Sequence, residues 1–146
     1  MTLPILCIRP EPGLSDTVAK GRERGLDIVP CPLSVIEPVS WTAPDPSAFD
    51  ALLIGSANVF RHGGRQLAEM HALPVYAVGE TTAVTAREAG FSVAKTGRDG
   101  LQTVIDHAAA QPMRYLRLGG EERVPLSLPT WQSIEEITVY RSEPVE

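Results

Sequence analysis

An α/β fold built around a parallel sheet is predicted by three features of the 146-residue sequence. Short apolar runs of strand length alternate with longer amphipathic stretches, the order expected of βα units. Neighbouring apolar runs are not joined by two-residue hairpin turns, so successive strands need crossover connections, which are right-handed. Two stretches also stop alike: "RERGLDIV" and "AREAGFSV" both run through Gly, an apolar residue and a polar residue into a β-branched one. Gly25 and Gly90 suit a left-handed helix stop, after which the apolar residue packs back and a strand begins.

The elements follow in order. Pro4–Arg9 is a short apolar strand. Gly13–Gly25 is a helix with Leu14, Val18 and Ala19 on its inner face and Gly25 as its stop. Leu26–Leu33 is the second strand. Ile36–Asp50 holds too many prolines for a central strand and reads as an extended segment. Ala51–Ile54 is a buried strand, and Ser56-Ala57-Asn58 opens a helix with Ser56 as a suitable N-cap. Gly63-Gly64 breaks that helix and "RQLAEMHA" resumes it as a short turn. Strand "PVYAVG" leads into a helix opened by Glu80-Thr81-Thr82, and strand "FSVAK" follows. The next helix, Gly97–Ala110, turns Leu101, Val104, Ile105 and Ala108 to one side. Strand Arg114–Gly120 ends in a Gly-Gly turn. Pro125 and Pro129 make "EERVPLSLPTW" irregular or only briefly helical. Glu136–Pro144 is the last strand.

Composition removes several function classes. Thirteen basic residues against 18 acidic give a net charge of −5, with no basic stripe for nucleic acid. No apolar run approaches the ~18 residues that span a bilayer, and "MTLPILCIRP" lacks a basic n-region and cleavage site. Cys7 and Cys31 form no C-x-x-C, and His62, His71 and His107 lack partners at metal spacing, so neither a disulfide framework nor a metal site is expected. A cytoplasmic location fits these thiols.

The chemistry points to strand ends. In open parallel sheets, ligands bind beyond the carboxyl ends of the strands, where helix N-termini offer free N–H groups. Four such turns occur: Gly55-Ser56-Ala57-Asn58, Gly79-Glu80-Thr81-Thr82, Gly97-Arg98-Asp99-Gly100 and Gly119-Gly120-Glu121. Small and hydroxylated residues dominate them, which suits phosphates or carboxylates. Neither G-x-G-x-x-G nor G-x-x-x-x-G-K-[ST] is present, against a nucleotide-binding module. Glu11 and Asp50 do not make a clear acidic cluster, against a regulatory receiver-like domain. A noncatalytic small-anion or regulatory module is the alternative reading.

The order of motifs, Arg9-Pro10-Glu11, "GSAN", "VYAVGETTA", "DGL", "LRLGG" and "ITVYRSEP", resembles the uroporphyrinogen-III synthase family across nearly the whole chain. "VGETTA" and "VYRSEP" are its most specific parts. The resemblance implies a flavodoxin-like lobe of a two-lobe enzyme: residues 1–33 as the first βα part of one lobe, 34–140 as the inserted lobe and 141–146 as the strand returning. The remainder of the first lobe is then expected to lie outside this chain, as in a truncated, proteolysed or naturally shortened form, and the exposed first-lobe elements would pack on their own lobe, disorder or pair with a second copy. The family usually runs a helix after the Gly-Gly turn, which this sequence does not favour.

The implied reaction is closure of hydroxymethylbilane, a polycarboxylate linear tetrapyrrole, with loss of water and inversion of ring D. The pyrroles supply the reacting electrons, so no cofactor is implied. The enzyme orients a flexible substrate and assists a proton transfer. By position in the motifs, Tyr140 is the candidate proton donor, and Thr82 is the candidate donor to a carboxylate or the leaving hydroxyl. Ser56, Ala57 and Asn58 are expected to cradle a carboxylate, with Gly79, Thr81, Arg9, Arg117, Gly119 and Gly120 as further substrate contacts. Each also has a plain structural role: Thr82 starts a helix, Tyr140 packs on a strand, Ser56 caps, and Arg9 fixes a turn.

Overall fold

The computed structural model describes residues 5–9, 11, 13–30 and 34–145. Leu3, Pro4, Pro10, Cys31, Pro32 and Leu33, on which parts of the expected strands and the Arg-Pro-Glu motif rest, lie outside the described residues. The chain forms two compact units, Met1–Glu37 with Ser142–Glu146, and Pro38–Arg141.

In the smaller unit, β1 (Ile5–Cys7) and β2 (Ile28–Pro30) pair in parallel across α1 (Gly13–Glu23). The helix buries Leu14 and Val18 against Ile28, with Cys7 half-buried beside them. Ala19 is exposed, contrary to the expected face. Gly21 is buried instead, three residues after Val18, and its missing side chain leaves room for the Ile28 side chain. The stop at Gly25 forms as expected, with φ 77°.

β3 (Ser34–Pro38) is the edge strand of a six-stranded sheet, a place that tolerates its terminal proline. The larger unit contributes β4 (Ala51–Ile54), β5 (Val75–Val78), β6 (Val93–Gly97), β7 (Arg114–Gly120) and most of β8 (Ser133–Pro144). The sheet order is β3-β8-β7-β4-β5-β6, and the pairs β8–β7, β7–β4, β4–β5 and β5–β6 are parallel. From β4 the chain winds outward through β5 and β6, then returns to the other side of β4 as β7 and β8. The order therefore reverses between β4 and β7.

Strand residues alternate faces, and the core divides accordingly. Leu52, Ile54, Leu116 and Leu118 face one layer. That layer holds α2 (Asn58–His62), a 3₁₀ turn at Arg65–Met70 and α3 (Glu80–Glu88). Ala51, Leu53, Tyr76 and Tyr115 face the other, covered by Leu101, Val104, Ile105 and Ala108, three of them from α4 (Leu101–His107) and Ala108 as its C-cap. All four β4 residues are fully buried, as a central parallel strand requires.

Residues 121–132 carry no helix. Leu126 and Leu128 nevertheless pack on the core beside α4. Side chains replace the missing helical bonds. Gln102 Nε2 donates to the Ser127 carbonyl while the Ser127 N–H donates to Gln102 Oε1, both at 2.8 Å. Trp131 Nε1 donates to Ala109, and Gln132 Nε2 to Ala108 and Gln111. β7 also runs through Gly119 and Gly120 rather than turning there, because both pair with β8, opposite Thr138 and Tyr140.

Candidate functional site

A pocket of about 230 Å³ opens at the carboxyl end of the sheet, where the strand order reverses. Gly55 and Ser56 follow β4, Gly119 and Gly120 end β7, Tyr140 comes from β8, and Leu101 starts α4. Arg117 and Arg123 complete the polar wall. This is the crevice in which doubly wound sheets bind ligands. Its volume is below the ~300–1,000 Å³ typical of sites for whole small molecules, so it fits a substituent such as a carboxylate arm.

The geometry at Gly120 sets the Tyr140 ring. A Cβ built on Gly120 would stand 2.7 Å from Tyr140 Cε2 and 3.2 Å from its hydroxyl. Only a glycine lets the ring lie against the end of β7. The Tyr140 carbonyl then accepts from the Glu121 N–H at 3.0 Å, tying the start of the following segment to β8.

Arg117 is 7% exposed, on β7. Its Nη1 donates to the Val124 carbonyl at 2.7 Å and to Glu136 Oε1 at 3.0 Å. Its charge is therefore already met inside the protein, which is a different position from the open substrate contact expected. Arg123 donates through Nη2 to Thr138 Oγ1 at 2.6 Å. Glu136 on β8 stands between the two guanidinium groups, its Oε2 3.8 Å from Arg123 Nη1.

The other expected residues sit at neighbouring strand ends. Ser56 does not occupy the N-cap of α2; Ala57 does, in helical geometry. The Ser56 hydroxyl accepts from the Asn58 N–H at 3.2 Å, so this part of the expected cradle is occupied by a local turn. Asn58 Oδ1 in turn accepts from Arg61. Gly79 has φ 83°, and its N–H is bound to the Gly97 carbonyl at 2.8 Å. Thr81 is exposed and its carbonyl accepts from Thr85, whereas Thr82 is 5% exposed on the core side of α3. The pocket thus brings together Ser56, Arg117, Gly119, Gly120 and Tyr140, while Ala57, Asn58, Gly79, Thr81 and Thr82 are not among its lining residues. Arg9 lies in the smaller unit, where its Nη1 donates to Thr17. Sequence reasoning missed Arg123 and Glu136. Their only signal is the basic residue between the Gly-Gly pair and Pro125, and the acidic residue that opens the run read as the last strand.

Among the described residues, no group of three or more His, Cys, Asp or Glu side chains could hold a metal ion. No helix among them is long and apolar enough to cross a membrane.

The family model for uroporphyrinogen-III synthase HemD matches residues 15–146. No curated protein matches the sequence. Among solved structures, the uroporphyrinogen-III synthetase from Helicobacter pylori 26695 is similar over 100% of this chain and 64% of its own, with TM-score 0.63 and 18% identity. The Thermus thermophilus uroporphyrinogen III synthase is matched over 99% of this chain and 64% of its own, with TM-score 0.48 and 16% identity. The likeness to the Helicobacter pylori structure is one of fold, and this chain spans less than two thirds of its length. With the family model matched over most of its residues, the chain belongs to the uroporphyrinogen-III synthase HemD family.

Proposed function

We propose that the chain acts in the synthase reaction itself, the closure of hydroxymethylbilane to uroporphyrinogen III with loss of water and inversion of ring D. The observation that supports it best is the pocket at the reversal of strand order, where a tyrosine hydroxyl and two arginines meet around a strand end made of glycines. A polycarboxylate substrate suits such a lining. The small volume implies that one carboxylate arm and the adjoining ring edge enter, the rest of the chain lying outside. Tyr140 is assigned the proton transfer, and Ser56, Gly119 and Gly120 the contacts that orient the arm. Thr82 is assigned to support the start of α3, with Gly79 and Thr81 facing the same strand end. We place this activity in the cytoplasm. We further propose that the smaller unit self-associates through Ile5, Leu6, Ile8 and Val29, all exposed apolar residues, which sedimentation at rising concentration tests.

The experiment is an isomer assay. The purified chain is supplied with hydroxymethylbilane, and the oxidised products are separated. Type III above a protein-free control is expected; type I alone would refute the reading. Tyr140→Phe is expected to lower turnover by about 10²-fold or more, the usual worth of a positioned acid. Unchanged turnover in both Tyr140→Phe and Thr82→Ala would overturn these residue assignments.

A further inference from the structure

We propose that Arg123 receives the ligand's carboxylate in the strand-end pocket, and that Glu136 is the internal anion with which the ligand competes. The inference rests on the carboxylate-substrate reading above and adds residues to it. Arg117 does not serve, because its Nη1 is already bound to both Val124 and Glu136. Arg123 differs. It lines the pocket, its Nη2 is held by Thr138, and its Nη1 is buried without a hydrogen bond. The 3.8 Å to Glu136 Oε2 makes a loose ion pair but is too long for a hydrogen bond. A buried N–H of a guanidinium left without an acceptor is costly, so an oxygen supplied there gains more than it would on the surface.

The charges agree with this. Two guanidinium groups share the single carboxylate of Glu136, whose other oxygen is committed to Arg117 at 3.0 Å. One positive charge is left unbalanced at the pocket wall. Glu122 also lines the pocket but is exposed, so solvent screens its charge. Arg123 Nη1 is closed off from solvent, so an entering carboxylate turns the guanidinium about its Thr138 contact to reach it, while Glu136 remains with Arg117.

The test is calorimetric titration of the whole chain with uroporphyrinogen III under anaerobic conditions, beside Arg123→Gln and Glu136→Gln. Arg123→Gln is expected to weaken binding about ten-fold or more, the scale of a charged hydrogen bond. Glu136→Gln is expected to tighten it roughly two- to five-fold, the scale of a part-exposed ion pair removed from competition. A purely structural role for Glu136 does not predict a gain. Parent binding that Arg123→Gln leaves unchanged overturns this inference alone. Weaker binding by Glu136→Gln overturns the competition. No binding by the parent chain overturns the substrate reading and this inference with it. Should Arg123→Gln fail to fold by tryptophan fluorescence, the sign of the Glu136→Gln effect decides.

Discussion

Replacing Arg117 by methionine tests how the pocket wall is held. Methionine keeps most of the side-chain length and apolar contact but removes the guanidinium, whose Nη1 donates both bonds. The Val124 carbonyl loses its 2.7 Å bond and Glu136 its 3.0 Å bond. Hydrogen bonds to charged groups are worth about 1.5–3 kcal/mol each, and breaking a fully buried ion pair costs ~3–5 kcal/mol. Neither partner is fully buried here. The Glu136 side chain is 36% exposed, and Val124 is 73% exposed, so water can reach both. Arg123 also stands ready to take over Glu136. The expected loss is therefore about 2 kcal/mol. Both tryptophans, Trp41 and Trp131, lie in the larger unit, so their fluorescence reports its unfolding. With a urea slope of about 1–3 kcal/mol/M, the midpoint should fall by roughly 0.7–2 M at unchanged slope. An unchanged midpoint would show that the Arg117–Glu136 pair does not hold the wall, and the argument that Arg117 is committed internally would fail with it.

Other perturbations separate shape from charge. Gly120→Ala is expected to push the Tyr140 ring out of place at a cost of about 1–3 kcal/mol, read as a lower melting temperature together with lost product; full activity would mean that the ring position is not needed. Gly79→Ala meets no atom within 4 Å, so its cost should be backbone strain alone at φ 83°, about 1–3 kcal/mol by urea unfolding. At the opposite end of the sheet, hydrogen bonds from the Arg114 side chain and then its N–H hold the Asp50 carboxyl below its usual 3.8. A lowered folded pKa stabilises above the unfolded value, and the contribution disappears as pH falls below about 4. The pair is part-exposed, so Asp50→Asn should cost no more than about 1 kcal/mol at pH 7. The gap in melting temperature between the two proteins should narrow as pH falls from about 4, and a gap that widened there would contradict the pairing.

Local patterns made much of this fold legible. The run Ala51–Ile54 reads as a strand buried on both faces because a parallel centre needs nothing else, and it is one. The Leu101, Val104, Ile105 and Ala108 stripe reads as a helix face, and all four are buried. What stayed illegible depends on distant partners. β7 continues through Gly119 and Gly120 because Thr138 and Tyr140 offer a ladder to them, and no local rule makes a Gly-Gly pair a strand. Ser56 carries the residue type of an N-cap, yet the helix starts a residue later and the hydroxyl closes a local turn. Within the pocket, the small residues and Tyr140 could be named from their motifs. The state of Arg117 could not, since it is set by Glu136, 19 residues further along the chain.

The segment after β7 explains why side chains carry the charge at this pocket. A helix beginning there would have aimed its N-terminal N–H groups at the strand end, equivalent to about half a positive charge. Pro125 and Pro129 remove two of the N–H groups such a helix would use and prevent it from forming. Arg117 and Arg123 occupy the same wall with two full charges, more than an empty pocket can easily hold. Glu136 offsets one of them and leaves about one behind. On this reasoning the pocket remains an anion site without a helix terminus, and its affinity depends on a carboxylate contributed by the neighbouring strand. A Glu136→Lys exchange should then be the most damaging single change at the wall. It adds a third cation beside a buried Arg117 and should unfold the larger unit at lower urea than Arg117→Met does.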